Sequence, residues 1–339
     1  MRRIWHINPM KDVWNEGIRR LKESGCEIFS GSAGKSYSEE DIIEIAREVD
    51  AIIVASTQIT GKVIRELENL RIIVGTGVGV DNIDVETATS QGVLVANTPV
   101  PEDYIGVAEG TVARILALAK RLHICDREVR QRRWQNSYDA LKSVYMRGKT
   151  LGIIGLGRIG SQVAKLMSHW EMRILSYDPY VSKDKAILLG VEMVDLDRLL
   201  KESDFITVHT VLVPSTRKLI DEDAFRKMKK TAFLINTARG AVVDEEALYK
   251  ALNEGWIAGA ALDVFSTEPI PEGSCLLKPE LAEKLILSPH VAGLSPEMER
   301  SIVTAQVDCC LKAFRGVPPE FTVNRTAIPR WKERFGTGG

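Results

Sequence analysis

The stretch "LGIIGLGRIG", residues 151–160, decides how this chain is read. Gly155, Gly157 and Gly160 form G-x-G-x-x-G, a spacing that 26 glycines in 339 residues can also produce by chance. Its setting gives it content. The apolar run "LGII" comes directly before, the helical segment "IGSQVAKLMSHW" comes after, and "RILSYD" ends at Asp178, 18 residues beyond Gly160. Each part has a physical task. Gly155 lets the chain turn sharply, Gly157 lets backbone approach a pyrophosphate, and Gly160 lets the helix pack on the strand. The helix start turns free amides and the positive end of its dipole toward the phosphates, with Arg158 and Ile159 lying over them. A carboxylate at Asp178 suits the adenosine ribose hydroxyls and repels a 2′-phosphate. Pro179 and Tyr180 bring no compensating cation, so the expected dinucleotide is NAD.

Outward from this unit, the pattern of strand and helix continues. "RILSYD", "VEMV", "FITVHT", "AFLINT", "AALDVF" and "LILSPH" follow as further short apolar strands with helical segments between most of them. Upstream, "RRIWHIN", "CEIF", "AIIVAS", "RIIVGT" and "VLVANT" alternate with helix-like stretches at 11–23, "SEEDIIEIAREV" and "GKVIRELEN". Such alternation predicts two doubly wound α/β sheets, each parallel and covered on both faces. Ser38 is placed to cap its helix, with acidic residues in the first turn. "NTPVPED", residues 97–103, is read as a hinge, since two prolines in five residues interrupt both patterns. The run after it, as far as Trp134, is expected to be one long amphipathic helix, part of which packs on a second subunit. "SPEMERSIVTAQVDCCLKAFRG" reads as another helix, and "RWKERFGTGG" as a polar tail.

Bulk properties narrow the class. The formal net charge of −1 gives no reason to expect nucleic acid or an acidic membrane as a partner. The start has no apolar core of a signal peptide, and no apolar run approaches the ~18–20 residues that span a bilayer. Cys26, Cys125, Cys275, Cys309 and Cys310 are scattered without a C-x-x-C pair. They read as free thiols of a cytoplasmic protein, and no metal site is expected.

Three charged side chains fall just past strand ends: Arg239 in "INTARG", Glu268 in "LDVFSTEP" and His290 in "LILSPHVAG". Open α/β sheets place ligands at the carboxyl ends of their strands. Singly, each residue has a bland reading as a surface charge, a turn residue or a packing histidine. Together they match one chemistry. Reduction of a 2-oxo acid needs a proton on the ketone oxygen, which a histidine can give and take back. A neighbouring carboxylate orients the ring and favours its charged form. An arginine can hold the substrate carboxylate with its planar fork and polarise the ketone.

The chain resembles the D-isomer-specific 2-hydroxyacid dehydrogenase family over nearly its whole length. The likeness is carried by "GTGVGVDNIDVETATSQGVLVANTP", "GKTLGIIGLGRIG", "SYDP", "DFITVHTVLVPSTRKLI", "INTARGAVVDEEAL", "GAALDVFSTEP" and "SPHVAG", in that order. The resemblance implies that His290 is the acid/base, Glu268 its partner and Arg239 the ligand of substrate carboxylate and carbonyl. It implies further cofactor contacts from Thr210, Thr237, Ala238, Asp263 and Gly293, and a substrate cradle from the backbone of Val78 and Gly79. It also implies a flavodoxin-like substrate domain (1–98 and 295–330), a Rossmann NAD-binding domain inserted in it (99–294), and a tail at 331–339. A cleft that closes and a homodimer formed by the helix after the hinge complete that picture.

Several blocks are most similar to the phosphoglycerate dehydrogenase branch. Yet three places where animal-type members of that branch carry arginines hold Ala55, Gly75 and the pair Gln135 and Asn136 here. Without those cations a phosphate dianion loses its charge-assisted contacts, unless Arg132, Arg133 or Arg147 reaches the site. The expected substrate is therefore an unphosphorylated D-2-hydroxy or 2-oxo acid, with D-3-phosphoglycerate as the alternative. Tyr104, Trp134, Tyr145 and Met146 lie in segments that could reach a cleft mouth. The bland reading of these four is packing or subunit contact. A non-enzymatic NAD(H)-sensing protein on the same fold is the competing function. Retention of Arg, Glu and His together argues against it, and Glu268 argues against a formate-dehydrogenase-like enzyme, which resembles this fold but carries an amide there.

Overall fold

The computed structural model describes residues 1–7, 13–32, 35–134 and 141–336. Gln135 and Asn136 lie outside the described residues. The chain divides into two compact units, Met1–Asp103 with Leu294–Gly339, and Tyr104–Gly293.

The first unit is built on five parallel strands: β1 (Arg2–His6), β2 (Cys26–Ser30), β3 (Ala51–Val54), β4 (Ile72–Gly75) and β5 (Leu94–Ala96), in the order β2-β1-β3-β4-β5. β3 and β4 are buried at every position, which is why they read as unbroken apolar runs. Helices cover both faces. On one face Trp14, Val303 and Val307 pack with Ile53 and Val74, and on the other Val63, Ile64 and Ala88 pack with Ile52 and Ile73. Ser38 caps its helix as expected, accepting from the Asp41 amide while Asp41 reaches back to the Ser38 amide.

The second unit carries seven parallel strands: β6 (Thr150–Ile154), β7 (Arg173–Tyr177), β8 (Glu192–Met193), β9 (Phe205–Val208), β10 (Phe233–Asn236), β11 (Gly259–Leu262) and β12 (Leu285–Leu287). Their order is β12-β11-β10-β9-β6-β7-β8. The strand order reverses beside β6, between β9 and β7. Ligands of such sheets bind at this switch point, and the glycine-rich turn leaves β6 there.

Two expectations are corrected. The run after the hinge is two helices, Pro101–Ala119 and Leu122–Arg130, separated by Arg121 in a left-handed conformation (φ 53°). The break has a local cause. The Ala119 carbonyl accepts from the Val144 amide, and the Lys120 ammonium reaches the Val144 carbonyl, so a returning segment supplies partners where the first helix ends. The second correction concerns the tail. Residues Ile328–Phe335 form a helix whose Trp331 is fully buried (0% exposed) among Ile72, Val74 and Leu94. Arg334 ties it down by donating to the Gln91 and Glu68 carbonyls.

No helix among the described residues is long and apolar enough to cross a membrane. All five cysteines are free thiols, and burial pushes the Cys309 thiol up to about 12.

Candidate functional site

Arg239, Glu268 and His290 all lie in the second unit. β10 ends at Asn236, whose buried amide folds the next turn back on itself. Its Oδ1 accepts from the Ala238 amide (3.0 Å) and its Nδ2 donates to the Arg239 carbonyl (2.9 Å). Arg239 follows, half-buried, with Nη1 on the Ala238 carbonyl (2.7 Å). Gly240 then passes so close to the loop after β11 that a Cβ there would sit 1.9 Å from the Phe265 carbonyl carbon. Only glycine permits that approach, and it sets the Arg239 turn against the 265–268 loop.

Glu268 is held at both oxygens. Its Oε1 accepts from the Phe265 amide (2.9 Å), and its Oε2 faces His290 Nδ1 at 2.8 Å. With Nδ1 directed at the carboxylate, Nε2 is the ring nitrogen left for a substrate. His290 itself adopts a left-handed backbone (φ 55°), a conformation that costs a non-glycine residue of order 1–3 kcal/mol. Its amide is pinned to the Asp263 and Ser288 carbonyls (2.8 and 3.0 Å).

These contacts set the charge states. The Glu268 hydrogen bond holds the His290 imidazole above its ordinary range, overcoming burial, which pulls it down. Burial pushes the Glu268 carboxyl up, but His290, the Phe265 amide and the Arg239 charge together bring it below the usual range. Arg239 acts on both partners, so the three expected residues form one electrostatic unit.

The glycine-rich turn also takes the form its sequence implied. Gly155 is left-handed (φ 94°), and a Cβ on it would lie 2.8 Å from the His209 carbonyl carbon. A Cβ on Gly160 would meet the Gly155 carbonyl oxygen at 2.1 Å. A Cβ on Gly157, by contrast, would meet nothing within 4 Å. The glycines close the turn on its inner side and leave an open cradle at the start of the helix Arg158–Met167, with Arg158 exposed and Ile159 half-buried beside it. A dinucleotide pyrophosphate fits that cradle. Asp178 accepts from the Leu156 and Tyr180 amides (2.8 and 2.9 Å), which fixes its carboxylate and leaves lone pairs for ribose hydroxyls. Lys185, which the sequence reading passed over, donates to the Leu156 carbonyl (2.8 Å) and braces the turn from behind.

The remaining expected cofactor residues sit on the same unit in different roles. Thr237 is buried with its hydroxyl 2.8 Å from that of Thr111. Ala238 is buried, Thr210 is half-buried at the end of β9, and Gly293 packs on Gly106. Asp263 is 1% exposed. Its Oδ1 accepts from Arg114 Nη2, the Ser288 hydroxyl and the Val291 amide, and its Oδ2 from the Ala292 amide. Arg114 was not anticipated, although it is the one charge between Glu109 and Lys120 in an otherwise small and apolar helix.

Val78 and Gly79 belong to the first unit, on the loop that follows β4. Asn97 Nδ2 donates to the Val78 carbonyl (2.8 Å), and Gly77 is left-handed (φ 79°). The amides of Val78 and Gly79 have no partner among the described residues. Arg133 pairs with Glu128 and Arg147 with Glu171, each at the surface. Met146 is core, Trp134 and Tyr145 are exposed, and Tyr104 is half-buried. Among the described residues no group of three or more His, Cys, Asp or Glu is placed to hold a metal ion.

Comparison with known proteins bears on the whole arrangement. Residues 112–292 match the D-isomer specific 2-hydroxyacid dehydrogenase, NAD binding domain. The chain is 42% identical over 328 residues to a glyoxylate reductase of Korarchaeum cryptofilum, covering 94% of this chain and 95% of that protein. It is 40% identical over 320 residues to a D-3-phosphoglycerate dehydrogenase of Methanocaldococcus jannaschii, covering 94% of this chain but only 59% of that longer protein. Among solved structures, the D-lactate dehydrogenase of Aquifex aeolicus, complexed with NAD and lactic acid, is 30% identical with a TM-score of 0.80, covering 92% of this chain and 95% of that one.

Proposed function

The chain belongs to the D-isomer specific 2-hydroxyacid dehydrogenase family, and we propose that it interconverts an unphosphorylated D-2-hydroxy acid and its 2-oxo acid with NAD(H). The His290–Glu268 pair at 2.8 Å, coupled to the Arg239 charge, carries this reading. Arg239 binds the substrate carboxylate and polarises the ketone. His290, held charged by Glu268, donates the proton on Nε2 to the ketone oxygen during reduction and takes it back from the hydroxyl during oxidation. Glu268 fixes the ring and stabilises the imidazolium. The cofactor, when bound, supplies or accepts the hydride at C2. Gly155, Gly157, Arg158, Ile159, Gly160 and Asp178 would hold its pyrophosphate and ribose, with Thr210, Thr237, Ala238, Asp263 and Gly293 as further contacts.

We assign substrate binding to the first unit as well, through the Val78 and Gly79 amides. The absence of a cation at Ala55 and Gly75, and the engagement of Arg133 and Arg147 in surface ion pairs, support an unphosphorylated acid. So does the near end-to-end match to a glyoxylate reductase. The likeness to phosphoglycerate dehydrogenases favours the second reading, D-3-phosphoglycerate. NADH consumption with glyoxylate, hydroxypyruvate, pyruvate and phenylpyruvate, set against NAD reduction with 3-phosphoglycerate, separates them. Efficient turnover of 3-phosphoglycerate with indifference to the other acids would overturn the first reading. No turnover of any acid despite tight NADH binding would favour a sensor.

We also propose a second copy of this chain as partner. Leu122, Val129, Trp134 and Tyr145 are more than half exposed in and after the helix Leu122–Arg130, an apolar set that a subunit interface would cover. A monomeric mass by light scattering at micromolar concentration would refute this.

A further inference from the structure

The helix Pro101–Ala119 presents Gly106, Gly110 and Arg114 at intervals of four residues, and hence along one face. Within the second unit that face lies on the segment directly after His290. A Cβ on Gly106 would come within 3.0 Å of the Gly293 carbonyl oxygen, and one on Gly110 within 2.2 Å of that of Ala292. The two glycines thus let the helix backbone rest on the catalytic loop. One turn further on, Arg114 reaches beneath it. Its Nη1 donates to the Gly110 carbonyl (2.8 Å), and its Nη2 donates to both Asp263 Oδ1 and Ser288 Oγ (2.5 Å each). The Ser288 hydroxyl donates in turn to Asp263 Oδ1 (2.6 Å), and the Val291 and Ala292 amides close on the same carboxylate. Arg114 is 12% and Asp263 1% exposed at the side chain. The Ser288 hydroxyl and the Val291 and Ala292 amides are therefore anchored through a carboxylate whose counter-ion comes from a helix 149 residues away.

We propose that Arg114 is a positioning residue for the acid/base histidine: by gripping Asp263 and Ser288 it fixes the turn that holds His290 in its left-handed conformation beside Glu268. The inference rests on the assignment of His290 as acid/base. Its physical basis is that a buried carboxylate is tolerated only when paired and hydrogen-bonded. Without the guanidinium, Asp263 would keep its amide contacts only at the expense of an uncompensated charge, and the turn would loosen. Four groups act on the histidine: Glu268 and Arg239 from the neighbouring loops, Asp263 beneath it, and Arg114 through Asp263. Glu109, also on the packed helix, is exposed.

The test compares wild type, R114M, R114K, S288A and H290N in the full chain. Three readouts are needed: hydrogen exchange of the peptide covering 288–293, NADH binding by fluorescence, and the pH dependence of glyoxylate and hydroxypyruvate reduction. In R114M, exchange at 288–293 should rise at least tenfold with NADH binding retained, and kcat should fall roughly 10- to 100-fold, the scale of a small misplacement of a reacting group. The alkaline limb of reduction should move to higher pH, because Asp263 then acts on His290 without its counter-ion. R114K should restore the limb and much of the protection. S288A, which keeps the ion pair, should raise exchange by a smaller factor, and together with R114K it carries the test if R114M does not fold. Unchanged exchange and an unchanged limb in R114M, or, in the fallback variants, wild-type exchange in S288A or a displaced limb in R114K, would overturn the proposal while leaving an inactive H290N to uphold the histidine assignment. An H290N enzyme with wild-type turnover would overturn that assignment, and the role of Arg114 with it.

Discussion

Two loops at the carboxyl ends of two parallel sheets are held in opposite ways. In the loop after β4 of the first unit, Thr76, Gly77 and Val78 are pinned by neutral groups. Thr98 Oγ1 accepts from the Gly77 amide (2.8 Å), Asn97 holds the Val78 carbonyl (2.8 Å), Asn82 spans the Ala55 and Thr57 carbonyls (3.1 and 2.7 Å), and Gln306 donates to the Thr76 hydroxyl (2.8 Å). The segment 288–292 in the second unit is pinned by a buried carboxylate and a guanidinium. The difference follows from what each loop has to display. Backbone amides that receive an anion work best with no fixed negative charge behind them. A histidine that must stay protonated near neutral pH gains from one. Neutral anchoring should therefore be felt in binding, and charged anchoring in turnover and its pH dependence.

The sharpest way to break this comparison is at His290. H290N keeps a polar side chain that tolerates the left-handed backbone but cannot exchange a proton near neutral pH. It should lower kcat for 2-oxo-acid reduction by about 10²–10⁴-fold, with NADH binding unchanged in a fluorescence titration. A loss below tenfold would remove the chemistry from the charged loop and leave its anchoring a matter of folding alone.

That such a residue could be picked out beforehand reflects where it lies. All twelve strands were legible as apolar runs, most plainly β3, β4, β5, β6, β9, β10 and β11, which are buried at every position. Arg239 and His290 lie just past β10 and β12, and Glu268 on the loop after β11, so strand positions located the residues. Partnerships between distant elements were not legible. Arg114 meets Asp263 only because Gly106 and Gly110 let a helix settle on the loop, which no local pattern announces. The closing helix failed for a related reason. "RWKERF" is rich in charge, and one indole at Trp331 supplies most of the buried face that a longer helix would spread over several turns. The break at Arg121 likewise depends on the Val144 segment arriving to receive it.

A smaller effect should come from Glu268. E268Q keeps the ring's hydrogen-bond geometry but removes the charge that raises the His290 pKa. The sign follows directly. Reduction needs the protonated ring and fails as pH rises through its pKa, so lowering that pKa moves the alkaline limb of reduction to lower pH. Oxidation needs the neutral ring, and its acid limb moves the same way. At mildly alkaline pH the variant should therefore lose roughly 10- to 100-fold in reduction, the scale of one charge-assisted hydrogen bond, and lose less in oxidation. The R114M limb moves upward, so the two variants should displace the profile in opposite directions. Limbs that move together would mean that both residues act only by holding the loop.

The smallest effect is expected in the first unit, where Gln306 is fully buried on the helix Pro296–Phe314. Its Nε2 reaches Thr76 at the start of the substrate loop, while its Oε1 has no hydrogen-bond partner. Q306L removes that orphaned acceptor along with the donor, so the fold should lose little. What it removes is one neutral anchor of the turn that presents the Val78 and Gly79 amides, worth about 1 kcal/mol, or roughly a fivefold rise in KM for the 2-oxo acid. kcat and the pH profile should stay as they are, because no charge near His290 has changed. T76V removes the same bond from the other side and should match it. The double variant should then be no worse than either single one, as expected for two ends of one contact. If Q306L instead lowers kcat by as much as it raises KM, the neutral loop is shaping the reacting geometry, and the division of labour between neutral and charged anchors would not hold.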